Sequence, residues 1–262
     1  MLNLGFGAIL TSAIFVHHYV GRGSPAMTVA IVVGGLWGAL FTWLIGRFVI
    51  QSYVRRGTTQ FGLAMVTIAL GLIIQFTLEA IEGPSTLSYN LPDNREFHLG
   101  SVIMSDQQLV IIVSAVIVML AVHVVLRYTR LGLAMRATAD DADLTRSCGI
   151  SADRIRDVAW LMSGALCGVC GVFLGLSRGS FDSTLGGTLF VTIVAAAVIG
   201  GIGKPYGAMV GALIVGLTSE AAAALFSPAY REIIAWSMLV VVLAVRPQGI
   251  FAEFSSQRQL VR

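Results

Sequence analysis

Long, uninterrupted apolar segments restrict the fold of this chain more than any other feature. A helix that crosses the hydrocarbon core of a bilayer needs about 20 mostly apolar residues. We predict about eight such spans, at residues 2–20, 26–50, 60–81, 107–127, 159–177, 188–202, 206–225 and 230–246. The runs lack the in–out alternation of barrel strands. The predicted fold is therefore all-α, a polytopic bundle of transmembrane helices.

Composition indicates the same class of fold. Hydrophobic residues make up 56% of the chain and charged residues only 12%, whereas a soluble domain carries about 25% charged residues. The chain therefore has too little polar surface to cover a water-soluble particle. Its net charge of +3 does not indicate a nucleic-acid partner, because a basic excess in a membrane protein usually lies in its cytoplasmic loops. The three cysteines give no disulfide framework.

Basic residues are unequally divided between the two sides of the predicted bundle. With eight spans and alternating loops, one face collects thirteen of the 17 basic residues: Arg47, Arg55, Arg56, Arg127, Arg130, Arg136, Arg146, Arg154, Arg156, Lys204, Arg246, Arg258 and Arg262. The other face has Arg22, Arg95, Arg178 and Arg231. The positive-inside rule places the first set and both termini in the cytoplasm. We expect residues 1–262 to form a single membrane domain.

The predicted cytoplasmic loop at 128–158 has helical patterning. Thr138 followed by Asp141 predicts a capping box at the start of a short helix. Gly149 follows where a left-handed C-cap is needed, and Ser151 is placed to cap the helix that continues into the fifth span. Two interpretations fit this pattern. The loop is either a pair of rigid helices that transmits displacement, or an ordinary charged loop that neutralises its own arginines and aspartates.

Glycines recur at helical spacing in two regions. They are Gly164, Gly168, Gly171, Gly175 and Gly179 in the fifth span, and Gly203, Gly207 and Gly211 between the sixth and seventh spans. Small-residue ridges let helix backbones approach closely in lipid, so we predict intramolecular packing for most of them. The alternative, for the segment around Gly200 and Gly201, is a broken helix that exposes backbone groups to a solute.

Few polar side chains lie within the predicted spans. They are Gln75 and Glu79 in the third, His123 in the fourth, and Thr218, Ser219 and Glu220 in the seventh. An ionisable side chain at membrane depth is costly, so Glu220 with Ser219 is a candidate for lining a solute path. The alternative is that Glu79 and Glu220 reach the outer interface and that His123 snorkels or bonds a neighbouring backbone.

Two other motifs do not indicate a chemical site. Cys167 and Cys170 form a C-x-x-C without a second cysteine pair or a nearby histidine, so zinc ligation is unsupported and we expect packing residues. The Gly203-Lys204 pair lacks the remaining residues of a phosphate-binding loop. The sequence predicts no nucleotide site in this chain.

A set of short blocks follows a fixed order along residues 40–251. The blocks are 127–137, Ala142, 148–150, 163–172, 195–203, 207–208, Gly211 and 246–251. In order and spacing they resemble the LivH/LivM family of branched-chain amino acid ABC permeases. LivH is the closer resemblance, because the loop before the third span is short and carries Arg55 and Arg56.

The N-terminal segment also resembles part of this family. Residues 3–7 (Asn-Leu-Gly-Phe-Gly) are similar to the family's Asn-Phe-Ala-His-Gly element, with Phe6 in place of the histidine. A role of that histidine is not carried over to Phe6. The family usually has one more span before this element, so either the start codon is misassigned or this member lacks the first helix.

The resemblance implies the permease subunit of an ABC importer for branched-chain amino acids or related small polar solutes. It implies the cytoplasmic (inner) membrane of a prokaryote and pairing with a second permease subunit, LivM-like or identical. Two cytoplasmic ATPase subunits and an extracytoplasmic solute-binding protein would complete the system. ATP and Mg²⁺ would bind on the ATPases, and this chain is expected to hold no cofactor and to catalyse no reaction.

We predict two groups of site residues. The resemblance implies ATPase coupling through Thr138, Asp140, Asp141, Ala142, Arg146 and Gly149. We assign a solute path to Asn3, Gly200, Gly201, Ser219 and Glu220. The outer loop at 83–106 would face the binding protein.

Three alternatives stay open at this point. One is a urea or short-chain amide ABC permease. A self-contained secondary transporter or channel would instead need ion-coupling carboxylates near the middle of the bilayer and an inverted repeat. A membrane scaffold without transport function is the third.

Overall fold

The computed structural model describes residues 3–20, 27–89, 96–99, 102–201, 203, 205–228, 230–246 and 249. The chain divides into two compact units, a first unit Met1–Gly186 and a second unit Gly187–Arg262. The helices begin with α1 (Phe6–Val20), α2 (Met27–Leu44), α3 (Gln51–Arg55), α4 (Gln60–Glu82), α5 (Asp106–Tyr128), α6 (Arg130–Asp140), α7 (Ala142–Ser147) and α8 (Ala152–Arg178). They continue with α9 (Leu185–Gly200), α10 (Pro205–Leu225) and α11 (Tyr230–Val245).

The prediction of an all-helical polytopic membrane protein is confirmed. Among the described residues, five helices are long and apolar enough to cross a membrane: Ile31–Arg55, Gln60–Glu82, Gln108–Tyr128, Ala152–Arg178 and Pro205–Leu225. Phe6–Val20 and Leu185–Gly200 are shorter apolar helices. The count of eight spans stays a prediction. So does the orientation of the termini, since Arg22, Arg95, Lys204, Arg258 and Arg262 lie outside the described residues.

Short strands occur where the sequence predicted only loop. They are β1 (Leu87–Ser88), β2 (Glu96–Leu99), β3 (Val102–Ser105) and β4 (Ser180–Phe181). β1 pairs with β4 and β2 pairs with β3, both antiparallel. The β1–β4 pair joins the predicted outer loop to the segment after α8, although about 90 residues of sequence separate the two strands.

The second membrane helix does not end at residue 50 as predicted. A π-helical segment, Ile45–Ile50, joins α2 to α3, and the helix continues to Arg55. Within this segment, a Cβ at Gly46 would lie 2.7 Å from the indole ring of Trp160 on α8. The wider π turn therefore coincides with a point where a bulky ring presses on the backbone, a usual setting for such turns.

Glycines hold α2 and α8 in direct backbone contact. A Cβ at Gly34 would lie 2.8 Å from the carbonyl oxygen of Gly168, and one at Gly38 would lie 2.9 Å from the Cα of Gly168. A Cβ at Gly164 would likewise lie too close to the carbonyl oxygen of Gly38. The small-residue ridge predicted for the fifth span is thus an intramolecular packing surface. Further along α8, a Cβ at Gly171 would lie 2.5 Å from the carbonyl oxygen of Leu10 in α1.

A short connection separates α9 from α10 in the second unit, near the predicted boundary between the sixth and seventh spans. α9 ends at Gly200, and Gly201 and Gly203 adopt positive φ values of 96° and 87°. Such values suit glycine, because a Cβ would clash with the backbone there. Gly200 packs against the backbone of Gly207 and Ala208, with the Cα of Ala208 2.5 Å from where a Cβ would lie. The core of this unit consists of Ala196, Ile199, Val215 and Ala235.

Candidate coupling segment and solute path

A sharp turn opens the predicted coupling segment, defined here as residues 128–158. The hydroxyl oxygen of Thr129 accepts a hydrogen bond from the N–H of Gly132 at 3.1 Å and so caps α6. A Cβ at Gly132 would lie 2.5 Å from the carbonyl oxygen of Leu126 in α5. Only glycine fits between α5 and α6 at this point, and the turn brings α6 back toward the helix before it.

Asp141, and not Thr138, begins the short helix α7. The Asp141 carboxylate accepts hydrogen bonds from the N–H groups of Asp143 at 2.9 Å and Leu144 at 3.0 Å. Thr138 lies inside α6, where its hydroxyl donates to the Ala134 carbonyl at 2.7 Å. The predicted capping box was wrong. Asp141 is itself extended, with φ −152° and ψ 107°, and its side chain caps the helix directly.

The remaining signals of this segment are confirmed in part. Gly149 has φ 83° and its N–H bonds the Arg146 carbonyl at 2.9 Å, as a left-handed helix end requires. Ser151 precedes α8 in an extended conformation but makes no side-chain capping bond. Arg146 pairs with Asp143 at 2.9 Å, so the segment also neutralises some of its own charge. The loop is therefore helical and internally paired, and its role in transmitting displacement stays a prediction.

A cavity of about 640 Å³ lies between the coupling segment and the start of α1. Its walls come from α6, α7, α8 and Phe6, and the lining residues are Phe6, Met135, Thr138, Ala139, Ala142, Arg146, Ala152, Ile155, Arg156, Ala159, Trp160 and Ser163. Three predicted coupling residues, Thr138, Ala142 and Arg146, share this cavity. Asp140, Asp141 and Gly149 are not among the lining residues and lie on the exposed side of the segment.

Asn3 anchors the N-terminal segment inside the first unit. It is 9% exposed, and its Oδ1 accepts from the N–H of Gly5 at 3.0 Å. The N–H of Leu4 donates to the Thr67 hydroxyl of α4 at 3.2 Å. Within the described residues, the Nδ2 of Asn3 is buried without a hydrogen-bond partner. Asn3 therefore has a structural role at the beginning of α1, and its place in a solute path stays a prediction.

Within the second unit, the predicted path residues do not form one site. Gly200 packs beside Gly207 in the first turn of α10. Glu220 lies 13 residues further along α10, about 20 Å away at 1.5 Å per residue. Its carboxylate pairs with Arg231 of α11 at 2.8 Å and is 64% exposed. Ser219 is buried, and its hydroxyl has no partner among the described atoms.

The first unit contains a buried aromatic cluster that the sequence did not predict. The Tyr89 hydroxyl donates to the Ile14 carbonyl at 3.2 Å and lies 3.1 Å from Nδ1 of His17. The Tyr89 ring centroid is 5.1 Å from that of Phe181 in β4. Burial raises the pKa of Tyr89. No sequence pattern indicates this cluster, because Tyr89 stands in a polar, turn-rich stretch and its partners are distant in the chain.

Sequence comparisons identify the family. Residues 1–243 match the family described as "Branched-chain amino acid transport system / permease component". The chain therefore belongs to this family of membrane-spanning transport permeases. The resemblance to LivH and LivM found from the sequence is confirmed.

Individual relatives agree with this assignment. The high-affinity branched-chain amino acid transport system permease protein LivH of Escherichia coli K12 is 29% identical over 226 residues, which cover 84% of this chain and 71% of that protein. The corresponding protein BraD of Pseudomonas aeruginosa is 34% identical over 163 residues, or 61% of this chain and 53% of that protein. LivM of E. coli K12 is 25% identical over 292 residues, 99% of this chain and 66% of that protein. No solved structure matches the chain.

Proposed function

We propose that this chain is the permease subunit of an ABC importer for branched-chain amino acids or related small polar solutes. The family match over residues 1–243 carries the proposal. LivH, BraD and LivM are described as components of high-affinity branched-chain amino acid transport systems. A second permease subunit, two ATPases that bind ATP and Mg²⁺, and an extracytoplasmic binding protein complete the proposed assembly. Its location is the cytoplasmic membrane of a prokaryote, with about eight spans and both termini inside.

The coupling segment is the proposed contact with the ATPases. α6 and α7 both contact α8. α8 is a single helix of 27 residues, about 40 Å long, whose glycines meet the backbone of α2. A displacement applied at α7 would therefore reach the membrane through rigid elements. ATP binding would shift the transporter between inward- and outward-facing states through differential contact with α6 and α7.

The alternative of a self-contained secondary transporter has less support. That class needs an ionisable group held near the middle of the bilayer to couple an ion. The candidate carboxylate, Glu220, is instead largely exposed and paired with Arg231. The arrangement fits a charge at the membrane interface better than a coupling site.

Asp141 gives the sharpest test of the coupling proposal. An Asp141→Ala variant loses the α7 cap, which costs about 1 kcal/mol, and we expect ATPase stimulation by solute-loaded binding protein to fall severalfold. The measurement is ATP hydrolysis by the complete importer in proteoliposomes, with and without binding protein and leucine.

The matched control is Asp141→Asn, because asparagine caps helices about as well as aspartate. We expect Asp141→Asn to retain most of the stimulation. Full stimulation in Asp141→Ala, with the same amount of assembled complex, would contradict the proposed role of α7.

A further inference from the structure

A basic pocket of about 430 Å³ lies at the end of the second membrane helix. It is lined by Arg47, Phe48, Gln51, Ser52, Arg55 and Arg56. All of them belong to the π-helical segment and α3 except Arg56, which is the C-cap residue of α3. Arg47, Gln51 and Arg55 recur every four residues and so share one face of the helix.

Within the described residues, two of the three arginines in this basic pocket have no ion-pair partner. Arg47 forms an ion pair with Asp157 of α8. Arg55 and Arg56 have no carboxylate within ion-pair distance in the part of the chain that the structure describes. The guanidinium of Arg56 lies 5.9 Å from the ring centroid of Tyr53, and Gln51, which lines the pocket, is only 8% exposed. The pocket can therefore accept an anion.

The adjoining surface of the same helix suits a lipid chain. The helix Ile31–Arg55 is apolar enough to cross a membrane. Leading up to and into the basic pocket it exposes Leu40, Leu44 and Phe48, at 52%, 37% and 66%. An apolar strip that ends in guanidinium groups is complementary to a phospholipid, in which an acyl chain leads to a phosphate. Arginine is also the side chain whose planar fork best fits a phosphate.

We propose that the basic pocket binds the phosphate of an anionic glycerophospholipid, with an acyl chain along Leu40, Leu44 and Phe48. In the orientation proposed above, this lipid belongs to the cytoplasmic leaflet, where anionic headgroups attract basic residues beside a span. The bound phosphate compensates the positive charge of Arg55 and Arg56. It lies beside the Arg47–Asp157 pair that ties this helix to α8, so the lipid steadies the membrane end of α2 and α3.

The test compares lipid affinities of the purified full-length chain in detergent. Short-chain phosphatidylglycerol and phosphatidylcholine are titrated and binding is followed by native mass spectrometry. We expect tighter binding of phosphatidylglycerol. We expect the Arg55→Gln, Arg56→Gln double variant to lower that affinity about 25-fold, since each basic residue near the surface contributes about fivefold.

The control removes the same charge elsewhere. Arg127 lies over Tyr128 at 5.9 Å, much as Arg56 lies over Tyr53, so the Arg127→Gln, Arg130→Gln double variant should keep the phosphatidylglycerol affinity. An equal loss in both double variants, or no preference over phosphatidylcholine, would overturn the proposal. Displacement by millimolar inorganic phosphate would indicate a free-phosphate site and also overturn it. Normal lipid binding by the Arg55→Gln, Arg56→Gln double variant, combined with loss of ATPase co-purification, would also overturn the proposal. That result would assign the two arginines to a protein partner.

Discussion

Gly168 shows how one residue sets the distance between two membrane helices. A Cβ built on it would overlap the carbonyl oxygen of Gly34 on α2. Neither backbone can yield without separating the helices, and in lipid such contacts are a main source of helix association. The glycine spacing predicted a packing ridge on this helix. It did not reveal the partner, because Gly34 and Gly38 occupy a different span and nothing in a single sequence pairs two spans.

We therefore expect Gly168→Ala to destabilise the protein. Overpacking costs typically 1–3 kcal/mol, and the clash here is with backbone, so about 3 kcal/mol is expected. The measurement is thermal unfolding of the purified chain in detergent, in which Tm should fall by several degrees.

Gly216→Ala is the matched control for this substitution. Apart from the backbone of its own helix, no heavy atom of the described residues lies within 4 Å of a Cβ at Gly216 in α10, and alanine favours a helix over glycine. Its Tm should be unchanged or slightly higher. Equal Tm values for Gly168→Ala and the wild type would mean that α2 and α8 are not in backbone contact.

In the coupling segment, some helix boundaries could be predicted from the sequence and others could not. Gly149 was predictable, because a helix end with positive φ favours glycine. The start of α7 was not, since both Thr138 and Asp141 are residues that cap helices and only backbone geometry decides between them. The π-helical segment Ile45–Ile50 was also missed, because its close contact with Trp160 depends on tertiary packing.

Tyr89, the residue after β1, leads to a prediction about how stability depends on pH. Tyr89 follows β1 and bonds the Ile14 carbonyl of α1, and burial raises its pKa above the ordinary value of 10.0. The folded state therefore favours the neutral phenol. This contribution to stability is complete below about pH 10 and is lost as pH rises toward the pKa of the folded state. Tm of the wild type should fall in that window.

Substitution at Tyr89 tests this dependence. Tyr89→Phe removes one hydrogen bond, worth about 1 kcal/mol, so its Tm at pH 8 should be lower by a few degrees. Its decline above pH 10 should be shallower than that of the wild type. Tyr128→Phe, at a tyrosine that is 71% exposed, should keep the wild-type pH profile. Parallel declines in all three proteins would show that Tyr89 is not buried against α1.

For the whole molecule, fold class was readable from the sequence because the apolar runs can be satisfied only by lipid-spanning helices. The candidate solute path stays a prediction. Glu220 and Gly200 fell into one predicted group because both stood out in apolar surroundings, yet Gly200 ends α9 and packs beside the first turn of α10, about 20 Å along that helix from Glu220. A path through a bundle is a property of several packed helices, and no single residue type identifies it.

Solute uptake into proteoliposomes tests the central claim most directly, that this chain transports solute only when ATPases act on its coupling segment. The assembled importer, with its ATPases, second permease and binding protein, is supplied with radiolabelled leucine and with ATP on the ATPase side. We predict accumulation that requires ATP hydrolysis and disappears when the ATPases are omitted. Leucine accumulation by this chain without ATPases would contradict the account.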